Sequence, residues 1–397
     1  MNQWNPIQYE TLKWENKGDL TYLSKASRKK ILPMYESSIP FTISDKNIII
    51  PAELNSSLGD LKLNISRFDI LQSQKGYSFP TILLRSESAA SSQIENLTSS
   101  IRNISLAQLS SKAPHNAQLI AGNVMAMRKA LDNNEPLSIN TILEIHRTLM
   151  SPNEVEFSGG IRNEPVWIGG TNYSPHGALF VPPHHSRLEF YLDDLINFSK
   201  RIDVDPIVKA AIIHAQFETI HPFIDGNGRT GRTLIHKILK DDNVLLTVAL
   251  PLSAGLLNKN KEYMSALLAF QQGNIIPIIE QVFDALELAL MIGDEASKQI
   301  SSVVNQWESN IDEKKTSSIW NLLYLLIDQP VVNSTFVSDN LNITLRAANQ
   351  LISRAIDYGI LRRIGNEQRG IFYQADAIIS ILDKISDNTI LRREFIQ

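Results

Sequence analysis

Apolar side chains recur every three or four positions over much of this chain, the period of helices that bury one face. Leu119, Ile120, Val124, Met125, Met127 and Leu131 mark one helix. Ile139, Ile142, Leu143, His146 and Leu149 mark the next, from Ser138 to Met150. Upstream, Ala89, Ala90, Ile94 and Leu97 keep the spacing, with few breakers between Glu87 and Pro114. Asp205-Pro206 reads as an N-cap aspartate followed by proline in the first turn. It opens a helix whose Ile207, Val208, Ala211, Ile212 and Ala215 run toward residue 220. Helical pattern returns from Lys259 to about Val303.

Three regions depart from this period. The first 85 or so residues are punctuated by Pro33, Pro40, Pro51 and Pro80 and predict only short helices and extended pieces. Over residues 157–183, glycines at 159, 160, 169, 170 and 177 frame Val166-Trp167-Ile168 and Leu179-Phe180-Val181. That pattern predicts a two-stranded hairpin with a long loop. Beyond a polar stretch from Glu308 to Ser318, apolar helices are expected at Ile319–Ile327, Ser334–Asn340 and Leu345–Tyr358. Ile360–Ile364 and Gly370–Tyr373 then flank a polar turn, and three helices followed by a hairpin is the winged-helix order.

Composition narrows the chemistry. Hydrophobic residues are 43% and charged residues 20% of the 397, ordinary for a globular chain. The net charge of −4 supplies no global field for nucleic acid or anionic lipid. With no cysteine, disulfides, thiolate nucleophiles and cysteine-ligated metals are excluded. No run of about 18 apolar residues predicts a membrane span. The opening residues lack a basic stretch followed by an apolar one, so the expectation is a cytoplasmic protein.

The candidate chemistry lies between two helices, one ending at Ile220 and one expected from Thr233 to Lys240. The stretch is His221-Pro222-Phe223-Ile224-Asp225-Gly226-Asn227-Gly228-Arg229-Thr230-Gly231-Arg232. Gly226 and Gly228 permit positive φ and close approach of backbone to a ligand. Amides at a helix N-terminus bind anions, and Arg229 and Arg232 add forked donors suited to phosphate. Asp225 beside an anion site makes sense if a divalent cation lies between it and the phosphates, as Mg²⁺ does with one carboxylate and substrate phosphates. His221 has the chemistry of a general base. Chance assembly of this pattern has odds of roughly 10⁻¹⁰ per start position from average residue usage, so it is read as one phosphoryl- or nucleotidyl-transfer unit. A metal site on His214 and His221 lacks a third ligand, and no P-loop pattern occurs.

This motif resembles that of the Fic family, and the resemblance covers roughly residues 85 to 275. It includes Gly160-Ile161-Arg162, Val166-Trp167-Ile168-Gly169-Gly170 and Val181-Pro182-Pro183, which look like the family's flap. Ser253, Asn258, Lys259 and Tyr263 are similar to the region after the motif helix. The resemblance implies a protein adenylyltransferase. His221 would deprotonate a Tyr, Thr or Ser hydroxyl of a target protein, which attacks the α-phosphorus of ATP. Asp225 would hold Mg²⁺; Gly226, Asn227 and Gly228 would bind the α- and β-phosphates, and Arg229 and Arg232 the β- and γ-phosphates. Phe223 would anchor the loop, and Val166, Trp167, Ile168 and Gly169 would dock the target by strand addition. Other phosphate-containing donors, or removal of AMP, are the alternatives within the family.

Ser91-Ser92-Gln93-Ile94-Glu95-Asn96 resembles the family's inhibitory helix. By that resemblance Glu95, with Ser91, would pair with Arg232 and deny it to the γ-phosphate. The expected fold is therefore mainly α. An N-terminal region spans 1–105 with the inhibitory helix near 87–100. A Fic-type core with a small hairpin flap spans 106–290, a helix end and linker 291–315, and a winged-helix-like unit 316–397. Arg346, Arg354, Arg362, Arg363 and Arg369 give that last unit a face for DNA, diluted by Asp328, Asp339, Asp357, Glu367 and Asp376. Protein contact or homodimerisation is its other reading, as is a regulator whose core only senses nucleotide.

Overall fold

A computed structural model of the chain describes residues 4–15, 21–75, 79–150, 158–365 and 370–386. The order begins β1 (Gln8–Lys13), α1 (Lys25–Lys29), β2 (Met34–Ile39), α2 (Ala52–Ser73), α3 (Phe79–Ile94), α4 (Ile101–Ala107), α5 (His115–Asp132) and α6 (Ile139–Met150). It continues α7 (Leu188–Ser199), α8 (Pro206–Ile220), α9 (Asn227–Asp241), α10 (Leu252–Asn258), α11 (Asn260–Gln271) and α12 (Ile276–Asn310). The chain then forms α13 (Ser318–Asp328), β3 (Val331–Val332), α14 (Ser334–Leu341), α15 (Leu345–Asp357), β4 (Arg362–Ile364), β5 (Phe372–Gln374) and α16 (Asp376–Ser386). The fold is mainly helical, as expected.

Local chemistry accounts for the boundaries that matter. Asp205 caps α8 by accepting from the Ile207 N–H, with Pro206 in the first turn. The helix near 87–100 lies earlier than expected, at Phe79–Ile94, because Asn96 turns left-handed at φ 60°. The Leu97 N–H reaches back to the Ser92 carbonyl and the Asn96 N–H to the Gln93 carbonyl. This is a Schellman closure with asparagine at its left-handed position, and it leaves Glu95 on the final residue of the helix end.

The N-terminal region is more ordered than its prolines suggest. β1 and β2 pair antiparallel, Gln8 opposite Ile39, and α2 runs for 22 residues. Asp69 of α2 accepts from the N–H groups of Leu246, Thr247 and Val248 and so ties α2 to the loop after α9.

α3 is the element on which the rest converges: it packs against α5, α9, α10, α13 and α16. Glu87, fully buried, accepts from the Ser253 N–H at 2.7 Å and so fixes α3 to α10. On the opposite side, the buried Arg85 donates to the Asp328 carbonyl, to Gln329 Oε1 at 2.5 Å and to Gln108 Oε1 at 2.9 Å. The Ser86 hydroxyl donates to the Ile385 carbonyl at 3.0 Å, and Gln93 Nε2 to that of Ser386 at 3.4 Å. Helix C-termini carry carbonyls without intrahelical partners. Those of α13 and α16 are met by side chains of α3.

The last unit shows the expected helix order and a three-stranded sheet, β3-β5-β4. Arg354 pairs with Glu313 at 2.7 Å and Arg362 with Asp376 at 2.6 Å, so two of the five arginines are already matched by carboxylates. Arg369 and Glu367 lie outside the described residues. Among the described residues no helix is long and apolar enough to cross a membrane.

Candidate active site

The motif begins with a backbone departure. His221 ends α8 in the left-handed region, φ 50° and ψ 62°, sparsely populated by non-glycine residues and a store of about 1–3 kcal/mol of strain. Arg162 holds it there. Its backbone N–H donates to the Pro222 carbonyl at 2.9 Å. Its guanidinium donates to the carbonyls of His221 (2.8 Å), Pro183 (2.7 Å) and Glu164 (3.0 Å). One buried arginine thus joins the histidine turn to both ends of the flap, and burial pulls it down to about 10.

α9 starts at Asn227, earlier than the apolar pattern suggested, so Gly228, Arg229 and Arg232 are helical. Gly226 precedes it at φ 78°. The Asn227 carboxamide clips the turn closed, accepting from the Phe223 N–H and donating to the Phe223 carbonyl, both at 2.9 Å. What Asn227 leaves toward an anion is backbone N–H rather than its side chain. Phe223 is fully buried and stacks on His146, ring centroids 3.6 Å apart and 4° from parallel. The Gly159 N–H donates to His146 Nδ1 at 3.0 Å, so Nε2 carries the proton and donates to the Asp225 carbonyl at 3.0 Å. Sequence periodicity marked His146 only as an inward residue; no local signal announces that it moulds the loop.

An anion already stands at the start of α9, and it is Glu95. A Cβ on Gly228 would collide with Glu95 Oε1. Arg232 Nη2 donates to the same oxygen at 2.9 Å and to the Ser91 carbonyl at 2.7 Å, while Nε donates to Ser91 Oγ at 2.9 Å. The structure therefore brings together Ser91, Glu95, Gly228 and Arg232. Asp225 faces outward with its side chain 64% exposed, 3.3 Å from Arg229 Nη2.

His221 opens the motif loop with its side chain 17% exposed. Its Nδ1 is 3.3 Å from the Glu218 carbonyl, an arrangement that leaves Nε2 to face a substrate. Burial, then the nearby Arg162 charge, pushes the imidazole down to about 4, so the ring is neutral and able to accept a proton at pH 7.

The flap is a looser hairpin than expected. Ile168 and Phe180 form a single antiparallel bridge, with Thr171 and Ser174 bridging nearer the tip. Gly169, Gly170 and Gly177 all take positive φ and turn the chain before strands can extend. Ile168 stays exposed, and Trp167 packs edge-on against Trp14 at 5.6 Å. The β1–β2 hairpin braces the flap from behind: the Ser38 N–H donates to the Val181 carbonyl at 3.0 Å, and the Ser37 hydroxyl to that of Pro182 at 2.9 Å. This brace was not visible in sequence. His214 is fully buried with Nε2 2.7 Å from the Tyr263 hydroxyl, and the described residues hold no cluster of three metal-ligating side chains.

The architecture is that of a mainly helical protein in which the Glu95 carboxylate meets Arg232 at the start of α9 and His221 ends α8. Residues 136–239 match the Fic/DOC family model. It is similar to protein adenylyltransferase fic-1 of Caenorhabditis briggsae, 31% identical over 186 residues that cover 46% of this chain and 34% of that one. It is also similar to a probable protein adenylyltransferase of Aquifex aeolicus (strain VF5), 36% identical over 153 residues, 38% of this chain and 42% of the relative. The chain thus spans well under half the length of these relatives. Its fold resembles the crystal structure of a Fic family protein from Desulfovibrio desulfuricans G20, with a TM-score of 0.52, 22% identity, and coverage of 83% of this chain and 97% of that one.

Proposed function

We propose that this protein is an adenylyltransferase that moves AMP from ATP onto a Tyr, Thr or Ser hydroxyl of a protein, and that Glu95 holds it in check. The observation that carries the reading is the Glu95 carboxylate over Gly228 and against Arg232, an internal anion in a cradle made for one.

With Glu95 withdrawn, the amides at the start of α9 meet the α- and β-phosphates, and Arg229 and Arg232 the β- and γ-phosphates. The target segment lies along Val166–Gly169 and brings its hydroxyl to His221. Nε2 takes the proton, the oxygen bonds to the α-phosphorus, and the bond to the bridging oxygen breaks so that pyrophosphate leaves. One exposed carboxylate at the lip of the proposed phosphate site fits a Mg²⁺ whose remaining ligands are substrate phosphates and water. Asp225 would hold it, and when bound it would offset charge on the phosphates.

Peptide mass spectrometry after incubation with ATP and Mg²⁺ tests this. An AMP ester on Tyr, Thr or Ser supports it; a lone phosphate on the same residue overturns it.

A further inference from the structure

Glu218 occupies the last turn of α8, three residues before His221, and the steps above do not use its carboxyl. Oε1 is buried with no hydrogen-bond partner among the described residues, and Oε2 lies 3.9 Å from His221 Nδ1. α9 makes room for it. A Cβ on Gly231 would stand 2.6 Å from Glu218 Oε1 and 3.1 Å from both His214 Nδ1 and Phe217 Cδ1. The glycine before the second arginine of the motif is therefore a consequence of the glutamate on the neighbouring helix.

The charged and titratable groups facing Glu218 are Arg232 from α9, Glu95 from the end of α3, Tyr263 from α11, and His221 and His214 from α8. Burial raises the carboxyl to about 8; Arg232 pulls it down and Glu95 pushes it up. With Glu95 in place it carries a proton at neutral pH. Withdrawal of Glu95 removes a negative charge and leaves the Arg232 guanidinium less compensated, and both changes favour the carboxylate.

We propose that Glu218 is a positioning residue for His221, idle while Glu95 occupies the cradle and engaged when Glu95 leaves. Its carboxylate then joins the Glu218 backbone carbonyl as acceptor for His221 Nδ1–H, holds Nε2 toward the target hydroxyl, and stabilises the imidazolium formed during transfer. On release of Glu95 the Glu218 proton goes to solvent. In the transfer step the hydroxyl proton goes to His221 Nε2, and Glu218 stays ionised. This rests on His221 being the base, and it couples the withdrawal of Glu95 to the readiness of that base.

The test uses full-length Glu95→Gly, alone and with Glu218→Gln or Glu218→Asp. NMR titration of the histidine rings, with His221 assigned by its loss in His221→Asn, needs no ATP. The Glu95→Gly protein should show His221 responding to a second, higher titration step, which Glu218→Gln removes and Glu218→Asp keeps. Kinetics of label transfer from ATP should show a rate that rises with pH through that step. Glu218→Gln should abolish the rise and lower kcat roughly tenfold or more, with KM for ATP changed less than about twofold. A His221 titration identical in Glu95→Gly and its Glu218→Gln derivative overturns the role of Glu218. If Glu95→Gly transfers no AMP at all, the adenylyltransferase reading fails while the NMR arm still decides whether the two side chains are coupled.

Discussion

Glu95 and Arg232 are 137 positions apart in sequence and 2.9 Å apart in the structure. The two ends differ in setting: the arginine side chain is 1% exposed and the glutamate 41%. A half-exposed carboxylate gains little from its ion pair, so the buried guanidinium is the fixed partner and the glutamate the removable one. Removing it should release activity. Glu95→Gly is expected to raise AMP incorporation by about 5- to 150-fold, the range of ordinary coupling between sites. Ser91→Ala, which leaves the carboxylate, should raise it less. Initial rates of label incorporation at fixed ATP check both.

The pH dependence separates the two acid-sensitive groups. A base lowered to about 4 remains neutral at pH 5, where an ordinary imidazole would be mostly charged. In Glu95→Gly/Glu218→Gln, the remaining loss of rate on acidification should therefore centre near pH 4 rather than 6.5. The stability signs are opposite. His221, lowered on folding, contributes stability above about 6.5 that is lost as pH falls toward 4. Glu218, raised to about 8, contributes stability at low pH that is lost as pH rises from 4.5 through 8. Glu218→Gln should accordingly help the melting temperature more at pH 9 than at pH 5, which thermal unfolding at the two pH values measures.

Arg85 should govern the seating of α3 without touching the motif. Replacing it with alanine leaves the Asp328 carbonyl and the Gln108 and Gln329 side chains without their buried donor, at a cost of about 1–3 kcal/mol. Denaturant unfolding should report that loss. Because the same contacts seat α3 against the ends of α13 and α4, the variant should also incorporate more AMP than wild type at temperatures where it remains folded.

Arg162→Ala should act on the base and the flap together. It removes the donor to the His221, Pro183 and Glu164 carbonyls and frees a strained turn. Misplacing a reacting group by about 1 Å can cost 10²-fold, so kcat in the Glu95→Gly background should fall by about that factor. Circular dichroism should show the helices intact.

What could be read beforehand follows the reach of the interactions. The period of apolar positions located α5, α6 and α13–α15 because each buries one face, whereas α8, buried on nearly every side, showed as a dense apolar run and α16 was not foreseen. Asp205-Pro206 marked its boundary because a cap is local chemistry. The motif announced a left-handed Gly226 and a helix start because both are encoded within a few residues. α2 was missed: prolines and polar residues dilute its pattern, and its anchor, Asp69, bonds residues about 180 positions away. The early end of α3 lay in Asn96, a single left-handed residue inside an otherwise helical spacing. Arg162, His146 and the β1–β2 brace act through backbone carbonyls and ring faces brought together only by the fold, and no neighbour in sequence signals them. The resemblance around Ser91–Asn96 named Glu95 and Arg232 together, but only the structure sets the carboxylate above Gly228.

Transfer of the α-phosphoryl group with its nucleoside can be decided by a single comparison. Glu95→Gly, and Glu95→Gly combined with His221→Ala, are incubated with Mg²⁺ and ATP labelled at either the α- or the γ-phosphate, alone and in a cell extract, and protein-bound label is followed. Label is expected from the α-position only, reduced by about 10²–10⁴-fold when His221 is removed. Label from the γ-position, or no α-label on any protein with Glu95→Gly, would contradict it.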